Sequence, residues 1–203
     1  SWNTEIGFKQ GFKINNFTGF VDIALFWQQY ENTIEFTYGI WDKDKDIWGD
    51  DSLSAGFKYL NTGDTRVRGF EVSIPGQGKI TKDFKIDILG GYTYVLPQAI
   101  HPLEVFAIDS TPTPMSYNFT STDSTNNILK YRFQHIAKID LQLTYKIFSI
   151  GGSWRYYSFI QNIDQIFYLF EPQMHSGIDK YRKEHNKGAH IFDARIGFDV
   201  TKK

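Results

Sequence analysis

An acidic segment contains the residues whose types and spacing come nearest to a recognised chemical site. Asp42, Asp44 and Asp46 alternate with lysines, which is the one-three-five carboxylate spacing of a calcium-binding loop. Such a loop also needs Gly at its sixth position and Glu at its twelfth, and this chain has neither. A solvated charged loop is therefore the favoured interpretation. Calcium bound in some other arrangement at residues 42–51 stays open, and no other cofactor is predicted.

Other catalytic and metal-binding signatures are incomplete. His185 and His190 are five residues apart around a glycine, so they do not form a helical metal pair. Ser158 with His135 or His175 would need the fold to bring nucleophile and base together, because their local spacing favours no active site. The sequence has no Gly-x-Ser-x-Gly and no His-Glu-x-x-His segment. We therefore predict that the chain is not an enzyme, with a lipase or protease kept as an alternative.

Composition excludes several classes of protein. The 203 residues include 22 Lys and Arg against 23 Asp and Glu, so a net charge of −1 gives no basic surface for nucleic acid. Cysteine is absent, which excludes disulfides and thiolate metal sites. The longest apolar run, residues 166–170, is far shorter than the ~18 residues of a transmembrane helix. A membrane β-barrel is compatible with the mean hydropathy of −0.39, because its strands alternate apolar and polar residues.

Alternation with a period of two predicts seven strands. They are predicted at residues 4–14, 17–38, 56–74, 84–94, 130–145, 148–156 and 192–200. Turn-forming residues predict short connections at 15–16, 75–79 and 146–147. Polar, Pro-rich or charged segments predict long connections at 40–54, 96–127 and 158–189, with a short helix at 177–185. Short and long connections therefore alternate along the chain.

This alternation is typical of outer-membrane barrels, which have short periplasmic turns and long extracellular loops. The opposite face of the strands is charged, which suits a wet lumen better than a dry core. The residues predicted to face the lumen are Lys85, Asp87, Lys130, Arg132, Lys138, Asp140, Arg155 and Arg195. Those predicted to form an aromatic girdle in the lipid interface are Tyr92, Tyr94, Tyr131, Tyr145, Trp154 and Tyr156.

A soluble antiparallel sandwich with one wet face is the alternative fold. Arg66, Arg68 and Glu71 are predicted either to line the lumen or, preferably, to pair across strands. Seven strands alone would leave two sheet edges in lipid, which bilayer physics does not permit. We therefore predict an all-β, antiparallel transmembrane segment of about seven long strands that belongs to a larger barrel.

Several segments together resemble TonB-dependent outer-membrane receptors. They are Glu5 to Gly11, the strand from Phe17 to Phe36, Arg66 to Val72, Gly90 to Tyr94 and Lys130 to His135. The resemblance implies the late strands of a 22-stranded barrel in a Gram-negative outer membrane, with residues 1–203 lacking the plug and the last strands. It also implies active import, with energy delivered through TonB to the missing N-terminal plug.

Extracellular loops are the segments where we expect contact with substrate, because scaffolds hold recognition residues there. The candidates are Trp41, Asp42, Asp44, Asp46, Trp48, Tyr117, Phe167 and Tyr168. A metal chelate, a glycan or a peptide would suit such aromatic and acidic surfaces. Expected partners besides TonB are outer-membrane lipid, lipopolysaccharide and a surface lipoprotein or other complex partner. A passive porin-like or adhesin-like barrel, an outer-membrane enzyme and a soluble β-sandwich binding module are the alternative functions.

Overall fold

The computed structural model describes residues 1–42, 54–169, 171 and 175–200. Its elements in chain order are β1 (Trp2–Ile14), β2 (Phe17–Tyr30), β3 (Ile34–Asp42), β4 (Ser54–Asn61), β5 (Thr65–Lys79), β6 (Phe84–Ala99), β7 (Val105–Ile108), β8 (Pro114–Ser116), β9 (His135–Tyr145), β10 (Phe148–Tyr157), α1 (Ile166–Leu169), α2 (Ile178–Glu184) and β11 (Ala189–Phe198). Seven strands form one antiparallel sheet in the order β1-β2-β5-β6-β9-β10-β11. The predicted all-β antiparallel fold is confirmed.

Tight turns join the strand pairs at one end of the sheet. Asn15 and Lys146 both adopt positive φ, 52° each, as predicted for the turns at 15–16 and 146–147. The turn predicted at 75–79 is wrong, because β5 continues through Pro75 and pairs with β6 as far as Lys79. Residues 80–83 make this turn instead, with the Ile80 amide donating to the Phe84 carbonyl over 2.9 Å.

Two predicted strands are each broken in two at the opposite end of the sheet. The predicted strand 17–38 stops at Tyr30 because Asn32 takes the left-handed conformation (φ 52°), and the predicted strand 56–74 is interrupted at Gly63 (φ 94°). β3 and β4 therefore leave the main sheet as a separate two-stranded hairpin. Backbone hydrogen bonds between Thr33 and both Thr62 and Gly63 close its base.

Long connections carry further structure that the sequence pattern did not predict. β7 and β8 form a second small hairpin between β6 and β9, and α1 lies between β10 and β11. The helix predicted at 177–185 is confirmed as α2. Among the described residues, no helix is long and apolar enough to cross a membrane.

Strand register assigns every strand residue of the main sheet to one of two faces. Ile6, Leu25, Phe70 and Tyr94 lie directly opposite one another in successive strands and define the apolar face. On the other face Lys138 is opposite Arg155, and Ser153 is opposite Asp140 on one side and Asp193 on the other. The face that carries Lys138, Asp140, Arg155 and Asp193 is called the polar face below.

Buried residues are concentrated in the long connections and not in the sheet. Apolar side chains with less than a tenth of their surface exposed include Met115, Tyr117, Ile128, Leu129 and Ile163. Large apolar residues of the strands are exposed instead, such as Ile6 at 70% and Ile196 at 85%. The sheet thus has no dry core of its own, whereas the loops have one.

Candidate functional site

A buried ion pair holds two of the long connections together. Lys130 Nζ donates to Asp164 Oδ1 over 2.8 Å, and both side chains are almost completely buried. The Tyr131 hydroxyl donates to the other carboxylate oxygen over 2.6 Å. Removing two charges from water is costly unless every remaining lone pair is satisfied, and this carboxylate is bonded on both oxygens. The described residues of the 100–134 and 158–188 connections therefore pack as one body, which we call the loop body.

Asn162 and Tyr117 complete this buried polar network. The Asn162 amide donates to the Ile128 carbonyl over 2.7 Å and accepts from the Thr122 hydroxyl over 3.1 Å. The Tyr117 hydroxyl accepts from the Lys130 amide over 2.7 Å, and burial raises the pKa of this phenol far above its ordinary value. Tyr117 is only 1% exposed, so the predicted role in substrate contact is corrected to a role in packing.

Two predicted positions in the barrel strand are corrected here. Lys130 and Arg132 were expected to face the lumen from a strand beginning at residue 130, but β9 begins at His135. Lys130 is instead buried in the loop body because Asp164, distant in sequence, supplies its counter-charge. Arg132 is exposed ahead of the strand, and Tyr131 is likewise outside the girdle.

The β3-β4 hairpin turns one face toward the loop body. Glu35 and Thr37 on this face are 8% and 0% exposed. Burial raises the pKa of Glu35, and the nearby positive charges of Lys130 and Arg132 only partly oppose this effect. Glu35 Oε1 and Thr37 Oγ1 make no hydrogen bond to the described residues. The contact is thus polar, buried and incompletely satisfied.

The opposite hairpin face carries aromatic rings. Phe36 stacks on Phe57 at 4.8 Å between ring centres and lies 4.9 Å from Tyr59, while Tyr38 meets Phe57 edge-on at 5.3 Å. Phe167 of α1 approaches Phe57 at 6.3 Å, which joins the third long connection to this face. Phe36 is 46% and Tyr59 is 73% exposed. We call these five rings the aromatic face.

The other predicted substrate contacts divide into two groups. The Trp41 indole donates to the Gly56 carbonyl over 2.9 Å, and Tyr168 accepts from Arg182 of α2 over 3.1 Å, so both are partly used in packing. Asp44, Asp46, Trp48 and the side chain of Asp42 lie outside the described residues. Among the residues that are described, no group of three His, Asp or Glu side chains is placed to hold a metal ion. The calcium prediction therefore stays a prediction.

Ion pairs cross the strands on the polar face. Arg195 of β11 bonds both oxygens of Asp140 on β9, at 2.7 and 2.9 Å. Arg155 of β10 contacts Asp193 of β11 at 2.7 Å. Lys138, Asp140, Arg155 and Arg195 thus share one face, as the alternation predicted.

The remaining predicted lumen residues lie at the turn-bearing end of the same face. Lys85 and Asp87 border an open cavity of about 600 Å³ whose rim also includes Lys13, Lys79 and Lys82. Four lysines against one aspartate make this end of the polar face strongly positive. The cross-strand pairing predicted for Arg66 and Arg68 with Glu71 is wrong, because Glu71 lies on the polar face and both arginines lie on the apolar one.

Ser158 and His135, the first of its two candidate bases, do not form a catalytic pair. Ser158 Oγ accepts from the backbone amides of Gln134 and His135, at 3.0 and 3.1 Å. The ring of His135 instead contacts the Tyr92 hydroxyl, with Nδ1 2.7 Å from that oxygen. Ser158 therefore binds the backbone at the start of β9, and the His135 side chain connects β9 to β6.

Aromatic residues form two belts on the apolar face. One belt lies toward the long connections, and the other lies beside the tight turns. The first contains Tyr92, Tyr94, Trp154 and Tyr156, and the second contains Phe84, Tyr145, Phe148 and Phe198. Eight residues separate Phe148 from Tyr156, or about 27 Å along the strand. A tilt of about 40° reduces this to about 21 Å, close to the apolar band of an outer-membrane barrel.

An antiparallel sheet with one apolar and one charged face, two aromatic belts and long connections at one end defines the wall of an outer-membrane β-barrel. A family model described as "TonB dependent receptor-like, beta-barrel" matches residues 1–203. The chain belongs to this family, whose members are outer-membrane transport receptors and not enzymes. No curated protein matches the chain.

Proposed function

We propose that this chain is part of the wall of a receptor that binds a scarce nutrient outside the cell and imports it to the periplasm with energy delivered through TonB. The observation that carries the proposal is the aromatic face, which is exposed on loops that are otherwise packed together. Rigid aromatic rings offer a large contact area at low cost in conformational entropy. A glycan, a peptide or a planar metal chelate would use such a surface.

The polar face would line the route of the solute. Its charges lie on residues held by cross-strand pairs, such as Arg195 with Asp140, and its turn-bearing end is rich in lysine. In the described residues β1 and β11 each pair on one side only. Because open edges are not stable in lipid, further strands must close this wall, and a plug inside the closed barrel would receive TonB.

Two further expectations belong to this proposal. Calcium would bind at the acidic segment 42–51. A surface lipoprotein or another outer-membrane partner would assemble on the extracellular side. Calorimetric titration of the whole receptor with calcium, before and after alanine replacement of Asp42, Asp44 and Asp46, tests the first expectation. Purification from cross-linked outer membranes tests the second.

Uptake by cells that express the whole receptor tests the transport function. A strain lacking the receptor is supplied with panels of glycans, peptides and metal chelates, and the solute whose uptake the receptor restores is identified. We expect uptake to stop, while surface binding persists, when TonB is deleted. Uptake that continues without TonB would instead support the passive porin-like alternative.

A paired substitution tests the aromatic face itself. Phe36→Ala with Tyr59→Ala removes the two exposed rings and should lower binding of that solute at least about tenfold, since stacking energies of a few kcal/mol are lost. Tyr181→Ala on the exposed surface of α2 is the matched control, because among the described residues this ring stacks on His185 alone. Equal binding by both variants would exclude the aromatic face as the recognition surface.

A further inference from the structure

Two arginines occupy the apolar face of the sheet at its loop-bearing end. Arg68 lies directly opposite Trp27 of β2, and Arg66 follows two residues further toward the loops. The next apolar-face position toward the turns is Phe70, whose ring lies 5.8 Å from that of Tyr94 in the aromatic belt. The arginines therefore begin where the band of aromatic and aliphatic residues ends.

Neither arginine has a carboxylate partner in the part of the chain that the structure describes. Among the described residues, the ion pairs of the chain include neither Arg66 nor Arg68. Arg66 lies over the Trp27 ring at 5.5 Å, and its Nε is buried without a hydrogen-bond partner. Arg68 donates one hydrogen bond, to the Gln98 amide oxygen at 3.3 Å. Most of the ten N–H donors of the two guanidinium groups are thus unused by side-chain partners.

A pair of uncompensated cations on a lipid-facing surface is costly unless it lies at the level of the headgroups and meets an anion there. Guanidinium groups match phosphate oxygens in a two-pronged geometry. Directly below the arginines, Leu25, Phe70 and Val72 offer a continuous apolar surface along which an acyl chain can lie. Cations above an apolar strip are complementary to an amphiphile and not to a free anion.

We propose that Arg66 and Arg68 bind the phosphate of an outer-leaflet membrane lipid, whose acyl chain packs on the apolar face below them. Trp27 holds the Arg66 guanidinium by a cation–π contact and thereby orients the N–H groups of Arg66 toward the lipid. This site faces the bilayer, on the other side of the wall from the solute route, so it does not depend on the transported solute.

Native mass spectrometry of the whole receptor, extracted from its own outer membrane in mild detergent, tests the site. We expect wild-type receptor to retain a phosphorylated lipid. The Arg66→Gln and Arg68→Gln double variant should retain at least about tenfold less of this lipid than the wild type. Arg155→Gln with Arg195→Gln is the control, since it removes two arginines from the opposite face of the sheet. Equal lipid retention by wild type and the Arg66/Arg68 variant would overturn the proposal.

Two further arms distinguish the source of the phosphate and exclude a folding effect. Enzymatically dephosphorylated lipid with the same acyl chains should be retained at least about tenfold less, and inorganic phosphate should not displace the native lipid. If inorganic phosphate binds and no lipid is retained, the lipid is excluded as the ligand. Arg66→Lys with Arg68→Lys keeps both positive charges but removes the guanidinium groups that can bond two phosphate oxygens at once. It should retain an intermediate amount of lipid even if the glutamine variant fails to fold.

Discussion

Arg195 on β11 reaches across β10 and bonds both carboxylate oxygens of Asp140 on β9, at 2.7 and 2.9 Å. The residue that it crosses is Gly151, which lies between Gln142 and Arg195 in the register. A Cβ at Gly151 would lie 2.7 Å from Arg195 Nε and 2.8 Å from its Cζ. The missing side chain therefore leaves the space through which the guanidinium reaches the second strand away.

Gly151→Ala should break this ion pair while leaving the sheet intact. The alanine methyl group meets the flexible end of Arg195 and not backbone, so the guanidinium moves away and Asp140 loses its partner. Because the pair is exposed to water, we expect little change in the unfolding midpoint of the whole receptor. A crystal structure of the variant measures the separation of Arg195 and Asp140. An unchanged bidentate contact would contradict the prediction, and Gly152→Ala, whose Cβ meets no side chain, is the control.

Lys130 and Asp164 should behave as a coupled unit. Asp164→Asn leaves a buried ammonium group without its counter-charge and should lower the free energy of opening of the loop body by about 3 to 5 kcal/mol. Replacing both, with Lys130→Met and Asp164→Leu, should cost much less than the sum of the two single changes. Hydrogen exchange of the 115–131 and 158–166 backbone in the whole receptor measures the opening.

Asp179→Asn on α2 is the control for this experiment. It removes the carboxylate of an exposed ion pair with Lys183 at 2.7 Å, so protection of the loop body should not change. Additive effects of the two buried substitutions would show that the pair does not join the loops.

Strand positions were predictable from local alternation, whereas the loop body was not. Residues 84–94 and 148–156 alternate with a period of two, and β6 and β10 form there. The Pro75-to-Lys79 segment has the composition of a turn but pairs along its whole length with β6. Lys130 continues the alternation of β9, yet its environment is set by Asp164, 34 residues away, which no local pattern reveals.

The aromatic face, too, could not be predicted from local alternation. Phe36 and Tyr38 alternate with Glu35 and Thr37 a few residues beyond β2, so the sequence predicts one long strand there. Asn32 interrupts it with a left-handed residue, and Gly63 does the same on the partner strand. Only the coincidence of these two breaks across the register frees the hairpin, whose rings then contact one another and Phe167.

Glu35 should make the hairpin contact depend on pH. Burial raises its pKa above the ordinary value of 4.5, so the folded state binds the proton more tightly than the unfolded hairpin does. The contribution of protonated Glu35 is therefore fully present below pH 4.5 and is lost as the pH rises through the raised pKa. Hydrogen exchange of β3 is measured in the whole receptor and corrected for the intrinsic effect of pH on exchange. The corrected rate should be lower at pH 4.5 than at pH 7.5.

Glu35→Gln separates this effect from other titrations. The variant carries no charge to bury, so its hairpin should be more protected than the wild type at pH 7.5 and equal to it near pH 4.5. Glu31→Gln, on the exposed turn before β3, is the control and should leave the profile unchanged. A hairpin that becomes less protected in Glu35→Gln at pH 7.5 would mean that attraction to Lys130 and Arg132 exceeds the cost of burial.

Gly69 on β5 is a position where the sheet should not accept a side chain. A Cβ there would collide with the backbone carbonyl of Tyr94 on β6 and lie 2.8 Å from the ring of Phe26 on β2. Backbone on the partner strand cannot rotate away, so Gly69→Ala should lower the free energy of unfolding by about 1 to 3 kcal/mol. The matched control is Gly91→Ala on the same face, where the nearest atom to the new methyl group is a carbonyl oxygen at 3.9 Å. Thermal unfolding of the whole receptor, followed by the loss of its compact mobility in gels, measures both variants. Equal midpoints would show that β5 and β6 lie further apart at this level than the structure has them.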